Sequence, residues 1–312
     1  MAVSDYIRPE FLRKGDKVAI VEPSYTKSPD ELLRALDVIR SWGYEPVPGI
    51  NAGNVSGFTD DGVSHYSAPA EERASELAWA LDSDEFKAII CTRGGYGAIH
   101  LLDFIPSRAF RAHPKWLVGF SDITTLHAAS LSAGVMSIHG NMCVNIGKEG
   151  GPDASCLALR DLLAGKMPEY EILPHKCNVP GSSSGMLVGG NMITAAALFG
   201  TGSDMLGHKD IILFIEEVEE SMHAIDRLFN MFLHHKGMGN VRGIIFGEFA
   251  DCGRDLPYED VESMLSGYVG KLGIPVCFGF PAGHGAVNMP FIEGAEVSLG
   301  VSPSAVRLGY RW

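Results

Sequence analysis

Short apolar runs alternate with amphipathic stretches through the first half of the chain. Lys17-Val18-Ala19-Ile20-Val21 predicts a buried strand that stops at Pro23-Ser24. From about Pro29 to Trp42, Leu32, Leu33, Leu36, Val38 and Ile39 fall largely on one side of a helix, with Gly43 near its stop. Pro69 to Leu81 predicts a second helix, and Lys87-Ala88-Ile89-Ile90-Cys91 a second buried strand. Gly94-Gly95-Tyr96-Gly97 then opens a third helix. Trp116-Leu117-Val118-Gly119-Phe120 predicts another strand, and Ile123 to Leu131 another helix. Strands separated by helices predict βαβ units and a parallel sheet.

The middle reads differently. Lys148 to Ser184 contains Gly150-Gly151-Pro152, a short helical piece near Leu157 to Leu163, and Pro180-Gly181-Ser182-Ser183-Ser184, which together predict a connection between domains. A second core follows, with an apolar helix around Met192 to Phe199, a strand over Ile211 to Ile215 and a helix over Met222 to His234. Strands near Val241 to Phe246 and Val276 to Phe280 complete it. The expected division is an N-terminal domain over residues 1–160, a linker over 161–184 and a C-terminal domain over 185–312. A length of 312 residues suits two domains at roughly 150 residues each.

Charge narrows the partners. Against 25 Lys and Arg stand 38 Asp and Glu, a formal net charge of −13. That balance argues against nucleic acid or an anionic membrane surface as the main partner. Cys91, Cys143, Cys156, Cys177, Cys252 and Cys277 are scattered, with neither a C-x-x-C pair nor zinc-ribbon spacing, and are expected to be buried free thiols in a reducing compartment. The N-terminal MAVSDYIRPEFLRKGDK has no apolar stretch before its charges, so no signal peptide is expected there. Gly185 to Gly202, the most apolar long stretch, holds Asn191 and several glycines and reads as a buried loop and helix, not a membrane span. A cytoplasmic location is expected.

Ligands of open α/β sheets sit beyond the carboxyl ends of the strands. Four such ends carry candidate chemistry: Arg93-Gly94-Gly95-Tyr96-Gly97, Ser121-Asp122, Glu216, and Pro281-Ala282-Gly283-His284-Gly285. Gly119-Phe120-Ser121-Asp122 begins like the G-x-S-x-G elbow that exposes a nucleophilic serine, although Ile123 replaces the closing glycine. As a bare pattern, Ser121 serves equally as a helix N-cap. A turn here aims the Asp122 backbone N–H at a developing oxyanion. A serine nucleophile needs a base and the base an orienting acceptor; His284 in its glycine-flanked loop and Glu216 at the end of an apolar strand are candidates. A loop histidine is also commonly just solvated. Glu217, Glu219 and Glu220 read as a solvated acidic start to the next helix.

Other matches are weaker. Ser24-Tyr25-Thr26-Lys27 fits S-x-x-K, but neither S-D-N nor K-T-G occurs. Gly95-Tyr96-Gly97 begins a dinucleotide fingerprint, with His100 where its third glycine belongs. No H-E-x-x-H occurs, and His234-His235 reads as a dipole-favoured pair at a helix end.

Taken together, the chain resembles the LD-carboxypeptidases, the serine peptidase family that includes muramoyltetrapeptide carboxypeptidase. The matching pieces are FLRKGDKVAIVEPS, AEERASELAWAL, AIICTRGGYGAIHLLDFI, PKWLVGFSDITTLH, SIHGNM, GMLVGGNM, ILFIEEVEE with AIDRLFNMFL, and GFPAGHGAVNMPFIEGAEVSL. They span nearly the whole chain. The resemblance implies a Rossmann-like N-terminal domain, a smaller C-terminal α/β domain and an active site in the cleft between them. It implies a catalytic triad of Ser121, His284 and Glu216, with an oxyanion hole from the Asp122 N–H and a glycine N–H, that of Gly94 or Gly95. It further implies a homodimer, no metal and no organic cofactor, and murein tetrapeptides as substrates, cleaved between an L-centre and a terminal D-alanine during cell-wall recycling. Relatives that cleave microcin-type peptidyl nucleotides supply one alternative. A non-catalytic nucleotide or phosphate binder using Gly94 to Gly97 is another. Two positions depart from the family: Glu217 stands where Asp is more usual, and Asn141, at the expected pocket wall, where Pro is.

Overall fold

In the computed structural model, which describes residues 6–26, 29–53 and 65–311, four of the five residues of β1 (Lys17–Val21) are buried. Burial on both faces is what a sheet covered by helices requires, and it explains the unbroken apolar run. Lys27 of the S-x-x-K match and the first five residues of the N-terminal stretch lie outside the described residues. Two compact units emerge. The N-terminal unit takes residues 6–166 and 289–292, and the C-terminal unit residues 167–288 and 293–311.

In the N-terminal unit β1 is followed by α1 (Pro29–Ser41), β2 (Glu45–Pro48), α2 (Ala70–Asp82), β3 (Phe86–Cys91) and α3 (Arg108–Ala112). Then come β4 (Trp116–Gly119), α4 (Thr124–Ser132), β5 (Ser137–His139), α5 (Cys143–Ile146) and α6 (Ala154–Leu163). The strands lie in the order β2-β1-β3-β4-β5, with every one of these neighbouring pairs parallel. Winding reverses between β1 and β3, the position at which a doubly wound sheet generally binds its ligand, beyond the carboxyl ends of the strands. Helix α1 buries Leu32, Ala35, Leu36 and Ile39 at helical spacing, and Asp30 and Glu31 in its first turn suit its dipole. Two expectations shift. Gly94 to Gly97 leads into a 3-10 segment, Ala98–Asp103. The edge strand β2 has no strand pattern in the sequence, because its Glu-Pro-Val-Pro carries two prolines, tolerable at an edge.

The C-terminal unit contains β6 (Tyr170–Ile172), β7 (Gly181–Asn191), α7 (Met192–Ala196), β8 (Ile211–Val218), α8 (Met222–His234), β9 (Val241–Ala250), α9 (Val261–Val269) and β10 (Val276–Cys277). After β10, β11 (Phe291–Glu293) joins the edge of the first sheet beside β5, and β12 (Glu296–Val301) and β13 (Val306–Tyr310) return to the second. That sheet has the order β10-β9-β8-β7-β12-β13-β6. Its β7 to β10 are parallel, whereas β12, β13 and β6 pair antiparallel. Gly181 to Ser184, expected within the connection, are the start of β7 and pair with β12. Their side chains are small and not buried, so no apolar period marked them. Gly185 to Asn191, expected as a loop, continue the same strand. Among the described residues no helix is long and apolar enough to cross a membrane.

Candidate active site

β4 ends at Gly119, and the chain turns at Ser121 into a short 3-10 segment, Ser121–Ile123, that runs into α4. Phe120 occupies the cap position, so Ser121 is not an N-cap. Ser121 has φ of 65°, a left-handed conformation that costs a residue with a Cβ roughly 1–2 kcal/mol. Ile123, where the elbow pattern has glycine, packs directly over Gly119, whose added Cβ would fall 2.8 Å from Ile123 Cγ2. The Gly119 carbonyl accepts from the Gly140 N–H at 3.0 Å and lies 2.9 Å from His127 Nε2. Burial holds the His127 imidazole down at about 4, so the ring is neutral at pH 7. A carbonyl can only accept, which puts the proton on Nε2 and makes Nδ1 the acceptor for Ser137 Oγ, 2.8 Å away.

The glycine loop reaches this turn closely. A Cβ on Gly94 would lie 2.9 Å from Ser121 Cβ and 3.3 Å from the Asp122 nitrogen, so glycine alone lets the two segments meet. Gly94 O accepts from the Tyr25 N–H at 3.3 Å. That peptide is trans, so the Gly95 N–H points away from the Tyr25 backbone N–H. Ser24, met in the sequence only through the S-x-x-K match, is buried and donates to Asp122 Oδ2 at 2.6 Å. Ser121, Asp122, Gly94 and Gly95 are thus gathered in the N-terminal unit.

Glu216 and His284 are gathered in the C-terminal unit. Glu216 was expected beyond its strand but lies within β8, fully buried, with Oε2 2.6 Å from His284 Nδ1. Gly283 has φ of 125°, and a Cβ there would stand 2.9 Å from Glu216 Oε2. Its N–H donates to Asn288 Oδ1 at 3.0 Å, which holds the loop. The His284 side chain stays 18% exposed. Burial opposes charge on its ring, but the Glu216 hydrogen bond and the charges of Glu216, Glu217 and Glu219 outweigh it. The imidazole therefore titrates above its ordinary 6.5.

Glu217 corrects the sequence reading. It is 1% exposed, not solvated, and points to the opposite side of the strand from Glu216. Its carboxylate accepts from Asn191 Nδ2 at 2.7 Å, Ile193 N at 2.9 Å and Val218 N at 3.0 Å. Burial nonetheless pushes its pKa up. Glu219 remains exposed. Glu248 was not foreseen: β8 and β9 slip register between Ile215 and Glu217, and Glu248 on β9 fills the space where a Gly285 side chain would go. Only the fold brings that carboxylate to the histidine loop.

The remaining candidates have structural partners. Asn141 Nδ2 donates to Cys156 Sγ at 3.2 Å. His100 stacks edge-on against Tyr96 and Tyr66. His235 pairs with Asp204 at 3.0 Å, and His234 Nδ1 bonds Asn230 O. All six cysteines are free; Cys91, Cys143, Cys156 and Cys277 are buried as expected, whereas Cys177 and Cys252 are only half-buried. Among the described residues no three His, Cys, Asp or Glu side chains group as metal ligands.

The family model for the LD-carboxypeptidase N-terminal domain matches residues 18–140, and that for the LD-carboxypeptidase C-terminal domain matches residues 184–299. The chain belongs to the LD-carboxypeptidase family. It is a peptidase. A Synechocystis relative named as a carboxypeptidase is 32% identical over 298 residues, 95% of each chain. The murein tetrapeptide carboxypeptidase of Pseudomonas aeruginosa is 30% identical over 75% of this chain and 79% of its own. The microcin C7 self-immunity protein of Escherichia coli is 26% identical over 88% and 87%. Among solved structures, the muramoyltetrapeptide carboxypeptidase of Oxalobacter formigenes has a TM-score of 0.82 at 25% identity, over 94% of this chain and 98% of its own. The doubly wound parallel sheet and the second mixed sheet are the α/β fold of this LD-carboxypeptidase family.

Proposed function

We propose that the protein is a serine-type LD-carboxypeptidase that releases the terminal D-alanine from murein tetrapeptides. The observation that carries the serine assignment is the left-handed turn at Ser121, with φ of 65°. Strain of this kind persists where the surroundings enforce it, and here it presents a hydroxyl beside the Asp122 N–H at the start of a helix. The 2.6 Å bond between Glu216 and His284 supports the rest of the triad. The murein assignment draws on the Pseudomonas relative.

Ser121 Oγ attacks the carbonyl carbon as its proton passes to His284. Glu216 stabilises the imidazolium, and the Asp122 N–H holds the oxyanion. Because the Gly94 carbonyl is engaged by Tyr25, the Gly95 N–H on the opposite side of that peptide is the second donor we assign. The intermediate collapses by breaking the C–N bond, and His284 gives its proton to the departing D-alanine amine. Water then attacks the acyl-serine ester, again losing a proton to His284; the C–Oγ bond breaks as His284 returns that proton to Ser121 Oγ, and the shortened peptide leaves as a carboxylic acid. The mechanism uses no metal or organic cofactor. We further assign a homodimer and a cytoplasmic setting to this reading.

The test is mass spectrometry of products from a murein tetrapeptide, with fluorophosphonate labelling of wild type and Ser121→Ala. Loss of one alanine and labelling of the wild type alone support the reading. Labelling with turnover only of a peptidyl-nucleotide substrate would favour the microcin-type reading, which the Escherichia coli relative supports. Absence of labelling would remove serine catalysis.

A further inference from the structure

Two buried charges hold opposite ends of one peptide group in the glycine loop. Asp122 is 5% and Arg73 1% exposed. Asp122 Oδ2 accepts from Ala98 N at 2.8 Å, and Arg73 Nη1 donates to Gly97 O at 3.0 Å. Gly97 O and Ala98 N–H belong to the same peptide. Its donor end therefore faces an anion and its acceptor end a cation, the orientation its dipole favours. Each charge also grips a second segment. Arg73 Nε donates to Ala68 O at 2.9 Å, and Nη1 donates to Pro23 O as well. Its guanidinium carbon sits 4.6 Å from the Tyr66 ring centroid. Asp122 takes the Ser24 hydroxyl at 2.6 Å.

A simple structural turn has little need of two ions taken out of water, which is expensive unless they are well bonded. Burial pushes the Asp122 carboxyl up, while the Ser24 and Ala98 bonds and the Arg73 charge draw it back. The residue that supplies this carboxylate also supplies the backbone N–H next to Ser121. Gly94, three residues before Gly97, touches Ser121 itself. Loop and elbow are thus joined twice, once by packing at Gly94 and once through the clamped peptide.

Resting on the serine-peptidase reading above, we propose that Arg73 and the Asp122 side chain are positioning residues that fix the glycine loop against the Ser121 turn, so that N–H groups of both segments converge on the transition-state oxyanion. The ground-state peptide makes less use of that convergence than the tetrahedral state does. Loosening the clamp therefore lowers kcat more than it raises KM. An ångström of misplacement costs on the order of 10²-fold in rate.

The experiment measures kcat, KM and the affinity for a peptide aldehyde, whose hemiacetal oxygen takes the oxyanion position, in wild type, Ser121→Ala, Asp122→Asn, Arg73→Gln and Arg73→Lys. Thermal melts establish which variants fold, and amide exchange at Ala98 reports the clamp. The expected result is a kcat fall of about 10²-fold in Asp122→Asn and Arg73→Gln, a parallel loss of aldehyde affinity, KM within about threefold and faster Ala98 exchange. A variant carrying both Asp122→Asn and Arg73→Gln should lose no more than the worse single one, because both act through one peptide. Arg73→Lys keeps the charge but not the fork, and it covers the case in which Arg73→Gln does not fold; it should show a smaller loss in the same direction. Folded variants with kcat and aldehyde affinity near wild type, beside an inactive Ser121→Ala, would overturn the clamp alone. An active Ser121→Ala would overturn the serine reading and the clamp with it.

Discussion

Asn191 Nδ2 donates to Glu217 Oε1 at 2.7 Å, while Asn191 Oδ1 caps α7 by accepting from Thr194 N at 3.2 Å. The cap fixes which end of the amide meets Glu217, so this acid binds β8 to the helix beside it. Its neighbour Glu216, one residue away on the other face, binds the histidine loop. Adjacent carboxylates on one strand therefore have separate tasks.

Glu217→Leu keeps the bulk and removes every acceptor, leaving Asn191 Nδ2 and the Ile193 N–H without the partner they have now. Stability should fall by about 1–3 kcal/mol, read as a lower melting temperature, with kcat within a few-fold of wild type. A kcat loss as large as that of Glu216→Gln would assign the catalytic acid to the wrong face of β8.

Glu216→Gln should lower kcat by roughly 10²–10⁴-fold with little change in fold. It should also move the pH profile. His284 must be neutral to act as base, and its pKa is raised above 6.5, so kcat/KM should fall with acidification through a value above 6.5. Without the Glu216 charge, burial dominates and that limb moves down. Linkage has the same sign: the raised pKa adds stability below pH 6.5, and this is lost as pH rises through the folded value. A limb that stays in place in Glu216→Gln would separate it from His284.

Ser121→Ala and Ser121→Gly both lack the hydroxyl and should both be inactive. They differ in strain, since glycine accepts φ of 65° and alanine does not. The glycine variant should be more stable than the alanine variant by about 1 kcal/mol. Equal melting temperatures would mean that the turn relaxes when the hydroxyl is removed.

A tetrapeptide ending in D-alanine should be cleaved and the D-alanyl-D-alanine bond of a pentapeptide left intact. The donors and Ser121 must approach one face of the carbonyl, and inverting the acyl-side centre turns its side chain toward the opposite wall. Equal release of alanine from both, followed by chromatography, would rule out L,D selectivity while leaving serine catalysis in place.

Local patterns revealed what local forces decide. The bounds of helix α8 are legible in the sequence because Met222, Ile225, Phe229 and Phe232 recur at helical spacing, and the structure adds the Ser221 cap. The start of β7 was missed, since a Gly-Ser run carries no apolar alternation and is held by its ladder with β12. Glu217 looked solvated because charge in a sequence says nothing of buried donors folded around it. Arg73 gave no signal at all: among helical acids and alanines it is an ordinary surface cation until Gly97 and Pro23 present their carbonyls.

The brief return of residues 289–292 to the N-terminal unit has a consequence for how the chain is made. During synthesis, β1 to β5 leave the ribosome long before β11, which lies beside β5 at the sheet edge. Until Phe291 arrives, that edge offers unpaired N–H and C=O groups to any passing strand. A nascent chain that stalls in between carries a complete elbow and an open margin, the combination that invites association with another unfinished copy. Severing the chain after β5 would therefore yield a fragment whose solubility, not its left-handed turn at Ser121, is the first thing lost.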